Sequence, residues 1–155
     1  MKHLINELFE KSVPIRWKSI QKEWGSTGWH GEFEINGKKY EIEIVRQIGD
    51  RNAPWEIEFY LNRNGVQDIS ITKTGDANIV FGTVIKGIQQ WMQETNPDIF
   101  TIGAAEPKRQ RVYSMMLDKL LGKEWTIKNY GNTFLATKET EDLEEIYSYD
   151  PFENL

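Results

Sequence analysis

Cysteine is missing from all 155 residues, which excludes disulfide staples, thiol nucleophiles and sulfur-ligated metals. Histidine occurs only twice, as His3 and His30, too few and too isolated for a histidine-rich metal site, so no metal is expected. No apolar run approaches the roughly 20 residues that span a bilayer, and no membrane association is expected. The opening MKHLINELFEKSV is broken by charge every few residues and has neither an apolar stretch nor a small-residue cleavage site, so the protein is read as cytoplasmic. An excess of positive charge is lacking too, the formal net charge being -5. Nonspecific attachment to a phosphate backbone needs clustered Lys and Arg, so nucleic acid is not an expected partner. The serines and histidines form no nucleophile signature such as Gly-x-Ser-x-Gly.

What is present suffices for one domain with a continuous core, read over residues 1–138, followed by an acidic, aromatic tail over 139–155, ETEDLEEIYSYDPFENL. Leu4, Ile5, Leu8 and Phe9 recur with helical spacing and predict a short helix over 2–11 that ends before Pro14. The Trp- and Gly-rich stretch from Pro14 to Gly31 is read as a strand around Ile15 to Ile20 and a loop through WGSTGWHG. His30, flanked by glycine, has no partner assignable from the sequence.

FEINGKKYEIEIV carries Asn36-Gly37 between two alternating runs, a two-residue hairpin signal. The turn sets Phe33 opposite Tyr40, puts Phe33, Ile35, Tyr40, Ile42 and Ile44 on one face, and leaves Glu32, Glu34, Glu41 and Glu43 on an outer face read as solvated. In WEIEFYLNRNGVQDISITK a two-residue loop would set Leu61 against Asp68. A three-residue loop, Arg63-Asn64-Gly65, pairs Phe59 with Ile69 and Ile57 with Ile71, and is the predicted one.

Beyond Gly75 the period changes. Ala77, Val80, Phe81, Val84, Ile85, Ile88, Trp91 and Met92 form one apolar stripe, predicting a helix capped by Asp76 that runs to about Thr95 and ends at Asn96-Pro97. IFTIGAA, nearly uncharged, is read as an interior strand. Pro107 suits a first helical position, Val112, Tyr113, Met116, Leu117, Leu120 and Leu121 make the next stripe, and Gly122 closes it. WTIKNYGNTFLATK is read as a last antiparallel pair turning around Tyr130 to Asn132.

The order from residue 32 to 138 is four strands, helix, strand, helix, two strands. The strand before the first long helix is expected to lie parallel to the strand after it, through a right-handed crossover. The fold class is therefore α/β (α+β), a mixed, mostly antiparallel sheet with one parallel crossover pair and helices on its faces. This order, together with RQRVYSMMLDKLLGKEW at 109–125, resembles the GNAT N-acetyltransferase superfamily. The resemblance implies acetyl-CoA as cofactor and Tyr113 as the general acid that reprotonates the leaving thiolate. It implies a pyrophosphate cradle in ITKTGDANIVFG, with Ile71, Lys73, Gly75 and Asp76 as cofactor-binding positions and Arg109 gripping the anion. Small divergent chains of this type are frequent in bacteriophage genomes, so the resemblance also implies a phage protein in a host cytoplasm.

Of the family's Gln/Arg-x-x-Gly-x-Gly/Ala signature only Gly75 is present, and Asp76 brings negative charge to where two phosphates should rest. The expected function is accordingly that of a GNAT-like scaffold with a degenerate cofactor site, no acetyl-CoA, and a protein partner or a second copy bound instead. A divergent acetyltransferase using Tyr113 is the alternative. Against both stands the plain possibility that Tyr113 fills a core. The tail and the six tryptophans, more than one small core needs, point to an interface.

Overall fold

The computed structural model describes residues 10–22, 26–47, 53–68, 76–103 and 107–139. Eight strands are β1 (Arg16–Lys22), β2 (Ser26–Ile35), β3 (Lys38–Gln47), β4 (Trp55–Arg63), β5 (Val66–Asp68), β6 (Ile99–Gly103), β7 (Trp125–Asn129) and β8 (Thr133–Lys138). The helices given in full by the described residues are α1 (Ala77–Thr95) and α2 (Pro107–Leu120). The strands form one sheet in the order β1-β2-β3-β4-β6-β8-β7, with β5 pairing β4 beside that path. Of the predicted helix over 2–11, all but Glu10 and Lys11 lies outside the described residues, as does the tail beyond Glu139.

The first hairpin has the predicted register: Ile35 faces Lys38 and Phe33 faces Tyr40. Asn36 and Gly37 both take positive φ, 51° and 77°, as a two-residue turn that follows the sheet's twist requires. A row of buried residues continues from it across the sheet. Ile42 pairs with Phe59 and Ile44 with Ile57; Ile57 meets Ile102, and Ile102 meets Phe134. All of them are buried. The stripes of α1 (Val80, Phe81, Val84, Ile85, Ile88, Trp91) and of α2 (Tyr113, Met116, Leu117) close over this row. Phe59 meets Phe81 of α1 at 5.7 Å and Tyr113 of α2 at 5.4 Å between ring centroids, so both helices lie on one face. The expectation of helices on the sheet's faces changes among the described residues, where α1 and α2 share one face and the opposite one carries Glu32, Glu41, Glu43, His30 and Lys39.

Four further expectations change. The stretch 24–31, read as a loop, enters β2 at Ser26. Its glycines mark close approach rather than a turn: a Cβ at Gly31 would come within 2.5 Å of the Ile15 side chain and 2.8 Å of Ile42. The second hairpin has the two-residue turn after all, with Arg63 against Val66 and Leu61 against Asp68. Asn64 and Gly65 adopt φ of 52° and 85°, and the Asn62 Oδ1 accepts from the Gly65 N–H at 2.8 Å; this local turn chemistry outweighs cross-strand apolar pairing. The parallel pair is β4 with β6, whereas β5, the described strand directly before α1, runs antiparallel to β4. Of the six tryptophans, Trp24 lies outside the described residues; Trp91 is buried and Trp17, Trp29, Trp55 and Trp125 pack against the core, so Tyr130, 61% exposed, is the large apolar side chain left at the surface among the described residues.

The remaining elements match their expectations. Asn96 ends α1 in the left-handed conformation, its N–H on the Met92 carbonyl at 2.8 Å. β6 is interior, parallel to β4 on one side and antiparallel to β8 on the other. No described helix is long and apolar enough to cross a membrane.

Candidate functional site

Of the residues expected to form a site, Tyr113, Arg109 and Asp76 lie among the described residues. Tyr113 is 3% exposed, on the core side of α2, edge-on to Phe59 at 5.4 Å and to Phe81 at 5.8 Å. Arg109 lies in the first turn of α2, and Ile71, Lys73 and Gly75 lie outside the described residues. Asp76 occupies the N-cap position of α1, but its carboxylate caps nothing. Backbone angles of -105° and 12° are not those that fold a side chain over its own helix start. The carboxylate reaches the first hairpin turn instead: Oδ1 accepts from Asn36 Nδ2 at 2.9 Å, and Oδ2 lies 3.2 Å from Lys38 Nζ. The capping role expected of its side chain is thus replaced by a tie between helix and hairpin.

A cluster that the sequence did not disclose lies on the face of the sheet opposite α1 and α2. Antiparallel pairing sets Glu32 directly opposite Glu41 and Arg16 opposite Glu32. Two like charges so placed repel unless neutralised. Arg16 Nη2 donates to Glu32 Oε2, Lys39 Nζ lies 3.2 Å and Lys18 Nζ 3.7 Å from Glu32 Oε1. The Arg16 hydrogen bond, against opposing burial and with Lys39 and Lys18 adding to it, holds the Glu32 carboxyl down to about 2 from 4.5. Glu41 takes His30 Nε2 at 3.0 Å on Oε1 and Asn62 Nδ2 at 3.0 Å on Oε2. Beside it the Tyr60 hydroxyl donates to Glu43 Oε1 at 3.3 Å.

The glutamate face is therefore not simply solvated: Glu32 and Glu41 are each 8% exposed. His30 has its partner, and the signal was the alternation His30, Glu32, Glu34, which continues β2 backward by one more same-face position. A donor atom from each of His30, Glu32 and Glu41 lies within 4.8 Å of the others, a spacing that three ligands of one cation could share. Both Glu32 oxygens, however, already face cationic groups, so a divalent ion would have to enter the field of three positive side chains. The arrangement suits a charge lock across β1, β2, β3 and β4 better than a metal seat.

Fold and cluster together define a mixed α/β domain with α1 and α2 on one face of its sheet and a charge lock around Glu32 and Glu41 on the other. The chain belongs to DUF6934, a family of unknown function, whose profile matches residues 26–152. That span begins at β2, so Arg16 and Lys18 precede it. No curated protein matches the chain.

Proposed function

We propose that this chain is a GNAT-like scaffold that acts by binding a protein partner in the cytoplasm of a host cell, its acetyl-CoA site being degenerate. The observation that carries the reading is Asp76. At the head of α1, where the resemblance puts a pyrophosphate cradle, a carboxylate 7% exposed is held by Lys38 and Asn36. A diphosphate there would meet a fixed negative charge, and the Lys38 ammonium beside it is already engaged by that carboxylate. The burial of Tyr113 among core rings weighs the same way, since a general acid must reach its leaving group. The order of elements from β2 onward supports the GNAT-like assignment.

Thermal unfolding of the full chain with acetyl-CoA and other acyl-CoAs at millimolar concentration is the test. A ligand present at a hundred times its Kd stabilises by about 2.7 kcal/mol, which raises Tm by roughly 5–10 °C in a chain of this size. A shift below about 1 °C is expected. A shift of several degrees overturns the reading, as does failure of any captured protein to re-form a stoichiometric complex from two purified components.

A further inference from the structure

At the far end of the sheet, β7 pairs with β8 on one side and meets no described strand on the other. The Tyr130 N–H donates to the Thr133 carbonyl and the Glu139 N–H to the Glu124 carbonyl. With the register of the pair, these bonds turn Thr126 and Lys128 toward β8 and aim the N–H and C=O groups of Ile127 and Asn129 outward. An outward row of strand donors and acceptors is a template for another strand. Beside it runs a groove of about 470 Å³ between β7 and the flank of α2. Its floor is apolar, from Met115, Ile127 and Phe134, and its rim carries Arg111 at one end and Asp118 at the other. Gln110 Nε2 donates to the Gly131 carbonyl, which sets the start of α2, and with it Arg111, beside the C-terminal end of β7. Tyr130 follows directly there, exposed.

From this we infer that the α2–β7 groove binds an extended peptide segment of a partner protein, added to β7 as an antiparallel strand. The inference rests on the protein-binding reading above and names its surface and partner class. Antiparallel addition matches every neighbouring pair at this end of the sheet and is the commoner mode. It fixes the order of the recognised residues. The peptide's N-terminal part lies by Arg111 and presents an acidic side chain; two residues on, an apolar side chain enters the groove over Met115 and Ile127; two further on, a basic side chain meets Asp118. Alternate strand residues share a face at about 6.6 Å spacing, so the charges sit about 13 Å apart. Arg111 and Asp118 are seven residues, about 10.5 Å, apart along the helix, a difference that side-chain reach absorbs.

The test is selection of a random dodecapeptide display library on the full chain, followed by fluorescence anisotropy with the enriched sequence as a synthetic peptide. Enrichment of acidic-x-apolar-x-basic is expected, with Kd in the micromolar range. Arg111→Glu, at an exposed position, should weaken binding about tenfold and invert the preference from acidic to basic at the first position. Methylating the peptide's alternate backbone amides should abolish binding to the unaltered chain, because strand addition depends on those N–H groups. The inference is overturned if no sequence is enriched, if enriched peptides tolerate both changes, or if a peptide of reversed order binds equally well. Peptides that bind but perturb backbone amide resonances on the His30 face would leave protein binding standing and remove this groove. A positive acyl-CoA panel would instead remove the underlying reading.

Discussion

Replacing Glu32 by Gln keeps the shape of the side chain and removes the charge toward which Arg16, Lys18 and Lys39 converge. The depression of its carboxyl from 4.5 to about 2 sets a ceiling: about 2.5 units at 1.36 kcal/mol each, or roughly 3.4 kcal/mol. The cations that produce it are solvent-facing, their side chains 71%, 56% and 50% exposed, so water and salt screen much of the attraction. Relief of the repulsion from Glu41 subtracts more. A loss of about 1–2 kcal/mol at pH 7 is expected, or about 2–8 °C in Tm. The sign with pH follows from the direction of the shift. Because the folded carboxyl titrates below the unfolded one, its stabilisation is complete above about pH 4.5 and disappears as pH falls toward 2. Urea unfolding followed by tryptophan fluorescence should therefore show the two proteins apart at pH 7, closer at pH 3.5 and alike near pH 2, and 0.5 M salt should narrow the gap at neutral pH. A difference that stays constant from pH 7 to pH 3, or one below about 0.3 kcal/mol at pH 7, would refute the charge-lock account.

Substitutions at two core positions test the packing. Gly87→Ala in α1 would ordinarily stabilise a helix interior by about 1 kcal/mol, but here the new Cβ would lie 2.6 Å from Ile15 Cδ1 and 3.2 Å from the Trp17 ring; a loss of about 1–2 kcal/mol in chemical denaturation is expected instead, and a gain would show that β1 yields easily. Trp91 is fully buried, against Trp55 and Phe100, and its indole N–H has no hydrogen-bond partner among the described residues. Trp91→Phe should thus cost no more than about 1.5 kcal/mol, since removing an unsatisfied donor offsets part of the lost volume, whereas Trp91→Ala should cost about 3–5 kcal/mol. Equal losses for the two would mean that the indole nitrogen is satisfied after all.

The parts of the fold that were legible in the sequence are those settled within a few residues of chain. Asn36-Gly37 dictates its own turn, and the stripes of α1 and α2, with Asn96-Pro97, Pro107 and Gly122 as punctuation, dictate theirs. In the second hairpin the turn preference of Asn64-Gly65 outweighs the apolar match of Phe59 with Ile69. Leu61 obtains its burial from the core beneath the helices, not from the residue across the turn, so matching across β5 was never required of it. Gly28 and Gly31 misled for the opposite reason. Glycine commonly breaks a strand, yet here it permits Ile15, Ile42 and Val45 to come close, so that β2 extends back to Ser26 and pairs with β1. The His30–Glu41 contact and the three cations around Glu32 depend on that register across four strands. Helical spacing alone placed Tyr113 on the stripe, but the two phenylalanines that enclose it come from β4 and α1.

The two faces of the sheet serve different ends. One carries an unbroken apolar row and receives both helices, which places most of the burial, and with it most of the hydrophobic stabilisation, on a single side. On the other, a polar surface is held by short-range pairing, which keeps Glu32 and Glu41 close to one another without exposing them. Because both helices share a face, α2 can stand over the edge of the sheet and make a trough with β7, four to five strand positions from the Glu32–Glu41 pair, about 20–24 Å at the usual inter-strand spacing. Over that distance, with no shared contacts, perturbations at the two places are expected to add independently. The charge lock therefore bears on the stability of the fold above about pH 4.5, and if the β7 edge holds a peptide as inferred, a chain with a damaged lock should retain its peptide preference for as long as it remains folded.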